Sequence, residues 1–104
     1  MSQNKVLSLL SIAARGRNLV SGEFAVESTV KTEKAFLVMI AADVSGNTKK
    51  KFANMCDFYQ VPIFSYGTKE ELGHAIGKDF RASLAVTDEG LAKTIINKLE
   101  THEE

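Results

Sequence analysis

Three short stretches of this 104-residue sequence place polar groups at junctions between strand-like and helix-like patterns. They read SGEFAVES from Ser21, DVSGNTKKK from Asp43 and GKDFR from Gly77. The first turn of a helix leaves backbone N–H groups unpaired, which suits a phosphate or the polar edge of a base. Three adjacent lysines add positive charge to the second stretch. The chemistry that these stretches predict is therefore the binding of an anion.

Individual residues in these stretches have distinct expected roles. Ser21 or Gly22 is suited to cap the helix that follows the first stretch, and Asn47 is the expected N-cap of the second helix. Three successive lysines on a helix spread over about 200°, so at least one should face the loop before it. The third stretch has two cations and an aromatic residue, Phe80, that is suited to lie on a base or a sugar.

Each stretch also has a plain structural interpretation. Gly22 is compatible with a simple turn, and Glu23 and Glu27 beside it would repel a phosphate. A run of lysines is most often a solvated helix face, and GKDFR is compatible with a tight turn whose Phe80 packs into the core. No single stretch decides between these interpretations, because the outcome depends on whether the fold brings the three together.

The rest of the sequence offers no pattern typical of catalysis or metal binding. His74 and His102 have no Cys or His at metal-ligand spacing, and Cys56 is the single cysteine. No glycine-rich phosphate-binding or dinucleotide-binding motif is present, and no catalytic pair is recognisable. We therefore expect no enzyme activity, no metal and no cofactor.

Charge is distributed unevenly although the formal net charge is zero. Residues 1–81 carry eleven Lys/Arg and eight Asp/Glu, whereas residues 82–104 carry two and five. Fields act over about a Debye length, ~8–10 Å, so a local basic surface can bind an anion on a neutral protein. Length and composition are those of one globular domain spanning residues 1–104.

The run VLSLLSIAA after Lys5 loosely resembles a secretory signal, but its apolar residues recur at helical spacing, which favours a first helix. No apolar run approaches the roughly 18 residues that a membrane-spanning helix needs. A single cysteine fits a reducing compartment. The expected location is the cytoplasm, with no membrane contact.

Helix-like and strand-like patterns alternate along the chain. The predicted helices cover residues 4–16, 23–34, 47–60, 68–77 and 89–100, and the predicted strands cover 17–22, 35–42, 61–66 and 81–88. The run AFLVMIAA is typical of a strand covered on both faces, and Thr68 with Glu71 forms a capping-box pattern. The order αβαβαβαβα with short connections predicts an α/β fold, a three-layer α/β/α sandwich around four strands. Strand order and direction are not fixed by this pattern.

Periodicity also predicts which helical side chains face the core. The expected inward residues are Phe24, Val26, Thr29 and Val30 in the second helix, Phe52, Met55, Cys56 and Tyr59 in the third, and Leu91, Ile95, Ile96 and Leu99 in the fifth. Phe24 bears on function, because an aromatic exposed at the start of a helix is available to a partner.

From Leu19 to Asp88 the sequence resembles the kink-turn RNA-binding ribosomal protein family, typified by the archaeal "L seven Ae" and eukaryotic "L thirty e" proteins. The motifs SGE, SGNTKKK, VP, LGHAIGK and AVTDEG follow the order found in the bacterial YlxQ-like branch. The stretch ELGHAIGKDFRASLAVTDEG carries the most specific part of the resemblance, which extends over roughly residues 5–99.

The resemblance implies a mixed sheet that brings the three stretches to one face, where they grip a kink-turn or similar structured RNA, ribosomal RNA included. In that family the helix after the first stretch enters the widened groove, and the last loop covers extruded nucleotides. The implied RNA-binding residues are Gly22, Glu23, Phe24, Glu27, Ser28, Lys31, Asn47, Lys49, Lys50, Gly77, Lys78, Asp79, Phe80 and Arg81. The implied role is that of a non-catalytic, monomeric component of a ribonucleoprotein in translation, with ribosomal or translation-related proteins as further partners.

The chain departs from the family at the helix that should enter the groove. Strong RNA binders carry G-x-(N/K)-(E/Q)-x-x-K, whereas the slots after Gly22 hold Phe24, Ala25 and Ser28. Each polar group that is missing from these slots weakens binding by roughly 1–3 kcal/mol, and Lys31 is a partial substitute for the missing lysine. Two hypotheses therefore stay open: an RNA-binding protein, or a protein-interaction module that keeps the fold without kink-turn affinity.

Overall fold

The computed structural model describes residues 4–101, and the elements follow the predicted order αβαβαβαβα. They are α1 (Lys5–Arg15), β1 (Leu19–Ser21), α2 (Glu23–Lys31), β2 (Leu37–Ile40), α3 (Gly46–Tyr59), β3 (Ile63–Ser65), α4 (Lys69–Ala75), β4 (Ser83–Val86) and α5 (Glu89–Thr101). The strands are three or four residues long and so are shorter than predicted; the residues at the ends of each predicted strand lie in loops. Within residues 4–101 no helix is both long and apolar enough to cross a bilayer.

The four strands form a mixed sheet in the order β1-β4-β2-β3. β4 runs antiparallel to both of its neighbours, and β2 and β3 run parallel to each other. The carboxyl ends of β1, β2 and β3 therefore lie at the same edge of the sheet as the amino end of β4. We call this the loop edge: it comprises residues 22–23, 41–45, 66–68 and 77–82.

Helices cover both faces of the sheet, which confirms the predicted three-layer α/β/α sandwich. One core joins α1, α4 and α5 to the side chains of Leu37, Met39, Leu84 and Val86. The other joins α2 and α3 to Val38, Ile40 and Ala85. Alternate residues of the two central strands thus enter opposite cores, which requires the continuous apolar composition seen in the sequence.

The N-cap of α3 differs from the prediction. Ser45, rather than Asn47, is the cap: its backbone is extended, and its Oγ accepts a hydrogen bond from the Thr48 N–H at 3.2 Å. Asn47 lies inside the first turn of the helix and is exposed. The reason is that a capping oxygen must reach the N–H three residues later, and Ser45 is the polar residue at that distance from Thr48.

The capping box of α4 is confirmed. The Thr68 Oγ1 accepts from the Glu71 N–H at 3.0 Å, and Glu71 Oε1 accepts from the Thr68 N–H at 2.9 Å. The two reciprocal bonds satisfy two N–H groups that the start of a helix would otherwise leave unpaired. They therefore fix the point at which the chain leaves the loop edge to begin α4.

The predicted inward residues are correct with one exception. Val26, Val30, Phe52, Cys56, Ile95 and Leu99 are buried, and Thr29, Met55, Tyr59, Leu91 and Ile96 are partly buried. Phe24 was expected inside and is instead 86% exposed. Val26 and Val30, four residues apart, define the buried side of α2, and Phe24 lies about 200° around the helix from Val26.

Candidate functional site

The first and third stretches are joined by a direct hydrogen bond at the loop edge, next to the pairing of β1 with β4. The Gly22 N–H donates to the Ser83 carbonyl at 3.0 Å, which continues the pairing of β1 with β4. The Arg81 Nε donates to the Ser21 Oγ at 2.9 Å, and its Nη1 donates to the Phe80 carbonyl at 2.7 Å. Through the bond to Ser21, Arg81 holds the GKDFR loop against the start of α2.

The second stretch is attached to the same edge. The Ala41 N–H donates to the Ala82 carbonyl at 2.9 Å, so the chain leaving β2 lies beside the chain entering β4. The Lys69 N–H donates to the Asp43 Oδ1 at 2.9 Å, and the Arg81 N–H donates to the Lys69 carbonyl at 3.0 Å. The three stretches that the sequence singled out are therefore neighbours in the fold.

The GKDFR loop packs tightly against α4. A Cβ atom on Gly73 would lie 2.5 Å from the Asp79 carbonyl oxygen and 2.9 Å from the Phe80 Cα, so only glycine allows this approach. Gly77 begins the loop with φ of +78°, a conformation that side-chain-bearing residues rarely adopt. With its backbone held in this way, Phe80 remains 62% exposed, and the interpretation that it packs into the core is wrong.

Helix α2 begins at the loop edge without a side-chain cap. Its N-cap is Gly22, with φ of +96°, and glycine carries no oxygen that could accept from the first turn. The Val26 N–H is the first to bond within the helix, to the Gly22 carbonyl at 2.9 Å. The N–H groups before it therefore point toward the loop edge with no side-chain acceptor from the cap, as an anion or a base edge would require.

Four charged residues link α2 to α3, and we call them the ion-pair cluster. Lys51 Nζ lies 2.8 Å from Glu23 Oε2 and 3.1 Å from Glu27 Oε1, and Lys31 Nζ lies 2.8 Å from Glu27 Oε2. Hydrogen bonds from Lys31 and then Lys51 lower the pKa of Glu27, and those to Glu23 and then Glu27 raise the pKa of Lys51. The cluster as a whole is neutral.

The cluster divides the lysine run into members with different environments. Lys51 is turned toward α2, whereas Lys49 and Lys50 are exposed and have no ion-pair partner among residues 4–101. Lys78, in the third stretch, is likewise exposed and unpaired within that part of the chain. That at least one lysine of the run faces the loop stays a prediction.

The remaining predicted site residues are accessible. Glu23, Ser28, Lys31, Asn47, Gly77 and Asp79 are exposed, and Gly22, Glu27 and Arg81 are partly exposed. Sequence reasoning missed two contributions, the Asp43 carboxylate that receives the Lys69 N–H and the Ser21 hydroxyl that receives Arg81. Only the pairing of β1 with β4 makes the second interaction possible, and no local pattern encodes it.

Other candidate sites in the described residues are limited. No group of three or more His, Cys, Asp or Glu side chains among residues 4–101 is arranged to hold a metal ion. Burial raises the pKa of the Cys56 thiol to about 11, so it is not a nucleophile at neutral pH. A groove of about 400 Å³ between α1 and α4, lined in part by Ser11, Arg15 and His74, lies on the opposite face of the sheet from α2.

Known proteins resemble the chain over nearly its whole length. "RNA-binding protein YlxQ" of Bacillus subtilis (strain 168) is 39% identical over 100 residues, which cover 96% of this chain and 100% of that protein. The protein of the same name from Enterococcus faecium is 35% identical over 92 residues, 88% of either chain.

Solved structures have the same architecture. One, described as a protein with unknown function from Bacillus halodurans C, superposes with a TM-score of 0.91 at 37% identity and covers 94% of this chain and 99% of its own. The Giardia lamblia 15.5kD RNA binding protein superposes with a TM-score of 0.78 at 22% identity, over 97% of this chain and 92% of its own, which shows a shared fold. Residues 4–96 match the family described as Ribosomal protein L7Ae/L30e/S12e/Gadd45. The chain belongs to this family.

Proposed function

We propose that this protein binds structured RNA at the loop edge and catalyses no reaction. The observation that carries the proposal is the direct bonding of the three stretches to one another: Arg81 joins the third to the first through Ser21, and Lys51 joins the second to the first through Glu23. The YlxQ relatives, at 35% and 39% identity, are named RNA-binding proteins. The RNA shape that the sequence resemblance favours is a kink-turn, in which a sharp bend exposes phosphates and splayed bases together.

The exposed lysines are the proposed phosphate contacts. Lys49 and Lys50 lie near the start of α3, where the helix dipole does not favour cations, so helix stability does not explain their placement. Lys78 supplies a third unpaired charge from the neighbouring loop. The phosphate backbone dominates affinity in most protein–nucleic acid complexes, which fits a site with several exposed cations at its rim.

The other parts of the site have complementary proposed roles. The open N–H groups at the start of α2, after Gly22, contact base edges, and the GKDFR loop covers extruded nucleotides with Phe80. Arg81 positions that loop through Ser21 rather than contacting a phosphate. The remaining proposed contacts come from Glu23, Phe24, Glu27, Ser28 and Lys31 on α2, from Asn47 on α3, and from Gly77 and Asp79.

We further propose that the chain acts as a single-domain monomer in the cytoplasm. Its work there is in translation, beside ribosomal or translation-related proteins, as part of a ribonucleoprotein. These statements rest on the sequence resemblance and on the family to which the chain belongs.

The test is a titration of a kink-turn RNA at several salt concentrations, with wild type and Lys49→Ala/Lys50→Ala. The double variant should bind more weakly, and its slope of log affinity against log salt should be shallower by about 1.5–2 units. The matched control is Lys34→Ala/Lys93→Ala, which removes two exposed lysines that are away from the loop edge. Equal losses of affinity in both double variants would contradict a localised site. Titration with a perfectly paired RNA duplex, which has no kink, measures how much of the binding does not depend on RNA shape.

A second candidate function is favoured by the exposure of Phe24 and the neutrality of the ion-pair cluster. Both suit a protein-interaction module whose surface no longer attracts phosphates through α2. In that case a kink-turn RNA should not bind even at low salt, where any electrostatic attraction between lysines and phosphates is strongest. The same titration therefore separates the two functions.

A further inference from the structure

We propose that Phe24 is a stacking platform for an unpaired base, so that the RNA bound here presents an unstacked nucleotide to α2. This inference rests on the proposed RNA-binding function and adds the chemical feature that the RNA must carry. Positions 24 and 25 hold Phe and Ala instead of the amide and carboxylate side chains of strong binders. In their place, the face of the Phe24 ring would contact the RNA base.

Phe24 belongs to neither core of the fold. It is 86% exposed, and the core side of α2 is formed by Val26 and Val30, which are fully buried. Single exposed apolar side chains are common on protein surfaces, so it is the location of this ring, rather than its exposure alone, that bears on a partner. It lies two residues after Gly22, in the first turn of the helix that begins at the loop edge.

Phe24 differs from most other exposed apolar residues in its location. Five large apolar residues of the described chain are exposed: Ile12, Phe24, Phe36, Phe58 and Phe80. Only Phe24 and Phe80 belong to the stretches that meet at the loop edge. Phe80 lies in the sequence between Lys78 and Arg81. Phe24 follows Glu23, whose carboxylate accepts a hydrogen bond from Lys51.

The composition of this surface distinguishes between two kinds of partner. Aromatic anchors of protein interfaces lie among apolar neighbours that exclude water, with charged residues depleted. Single-stranded nucleic acid is instead bound by aromatic rings interspersed with cations, because bases stack while phosphates pair with the charges. The exposed Phe80 lies between Lys78 and Arg81 in the sequence, and the unpaired Lys49 and Lys50 lie on α3, the helix that Lys51 joins to α2. Because aromatic rings and unpaired cations occur together in this part of the molecule, a base is the favoured occupant.

The ion-pair cluster bears on the path that a bound RNA would take past α2. Lys51 and Lys31 are held by Glu23 and Glu27, so the α2 surface carries no net charge to attract a phosphate. The backbone of a bound RNA is therefore expected to follow the unpaired lysines of α3 and of the GKDFR loop. A base that reaches α2 from this path must be turned out of the helical stack, and Phe24 is the surface it meets.

The sequence contains no tryptophan, which permits a direct measurement. Phe24→Trp introduces a single indole, whose fluorescence should be quenched when a kink-turn RNA with an unpaired purine is added. The matched control is Phe58→Trp, because Phe58 is also exposed, at 77%, and lies near the far end of α3. Its fluorescence should not change.

Affinity provides the second readout. Phe24→Ala should weaken binding by about 5- to 150-fold, the range of stacking one base, while Phe24→Trp keeps wild-type affinity. Phe58→Ala should bind as wild type does. Because no charge is removed, the salt slope of Phe24→Ala should equal that of wild type, unlike that of Lys49→Ala/Lys50→Ala.

Failure of this inference is distinguishable from failure of the proposed function. If wild type binds the RNA and the double lysine variant is impaired, but Phe24→Ala binds within about twofold of wild type, stacking on Phe24 is overturned and RNA binding stands. If wild type does not bind even at low salt, both are overturned. Unchanged Phe24→Trp fluorescence on saturation with RNA also overturns the inference.

Discussion

Replacing Gly73 by alanine should destabilise the protein, although the same change stabilises most helices. Alanine in a helix interior is favoured over glycine by roughly 0.5–1 kcal/mol, because glycine loses more backbone freedom on folding. Gly73 lies within the seven-residue helix α4 and is buried. Propensity alone would therefore predict a more stable protein.

The surroundings of the added Cβ reverse that expectation. It would lie 2.5 Å from the Asp79 carbonyl oxygen, 2.7 Å from its carbonyl carbon and 2.9 Å from the Phe80 Cα. All three are backbone atoms, so no rotamer change relieves the clash and the GKDFR loop must move. Overpacking of this kind costs about 1–3 kcal/mol, which outweighs the propensity gain and leaves a net destabilisation of about 0–2.5 kcal/mol.

Denaturant unfolding of Gly73→Ala and a matched Gly90→Ala variant measures the difference. The nearest atom to a Cβ on Gly90, in the first turn of α5, is the Asp88 Oδ2 at 3.4 Å, an ordinary separation. Gly90→Ala should therefore leave stability unchanged or raise it. Gly73→Ala should unfold at lower denaturant, and it should also weaken RNA binding because it displaces Phe80. If Gly73→Ala were more stable than wild type by the amount that propensity predicts, the close packing of loop and helix would be refuted.

Two further predictions concern the N-cap of α3 and the ion-pair cluster. Ser45→Ala should lower the unfolding free energy by about 0.5–2 kcal/mol, because it removes the acceptor for the Thr48 N–H. Asn47→Ala should leave the unfolding free energy almost unchanged. If thermal unfolding showed the larger loss for Asn47→Ala, Asn47 would be the cap instead. In the cluster, the pKa of Glu27 is lowered and that of Lys51 is raised. The contribution of Glu27 is therefore present above its ordinary pKa of 4.5 and disappears as pH falls, while that of Lys51 is present below 10.5 and disappears as pH rises. Stability measured against pH for wild type and Lys51→Met should converge at both extremes and at high salt; a constant difference across pH would indicate packing rather than charge.

The sequence predicted those features that depend on neighbouring residues. Alternating periods established the order of nine elements, and the spacing of Thr68 and Glu71 identified the capping box that forms at α4. The continuous apolar composition of β2 correctly indicated a strand covered on both faces. These features are local because a helix or strand buries the side on which its apolar residues recur.

Strand order required information that no local pattern holds. The pairing of β1 with β4 joins residues about sixty positions apart, and it is this pairing that brings Ser21 to Arg81. The antiparallel direction of β4 is also not encoded locally, because the residues of a short strand fit a parallel or an antiparallel partner and the path of the preceding chain decides between them. The resemblance to a known family supplied the mixed sheet, which composition and periodicity did not.

The division of the lysine run is the clearest case of a site property decided by tertiary structure. Lys49, Lys50 and Lys51 are identical in sequence terms, yet successive positions on a helix differ by 100° in direction. Only the third points to α2, where two carboxylates that seemed unfavourable to phosphate bind it instead. The charges of Glu23 and Glu27 are therefore balanced by Lys51 and Lys31, so they need not repel an anion at the loop edge. The charges of Lys49 and Lys50 remain available. The same pairing makes α2 electrically neutral. Under the proposed function, recognition of RNA by that helix calls for a group whose interaction does not depend on charge, and an exposed phenyl ring meets that requirement.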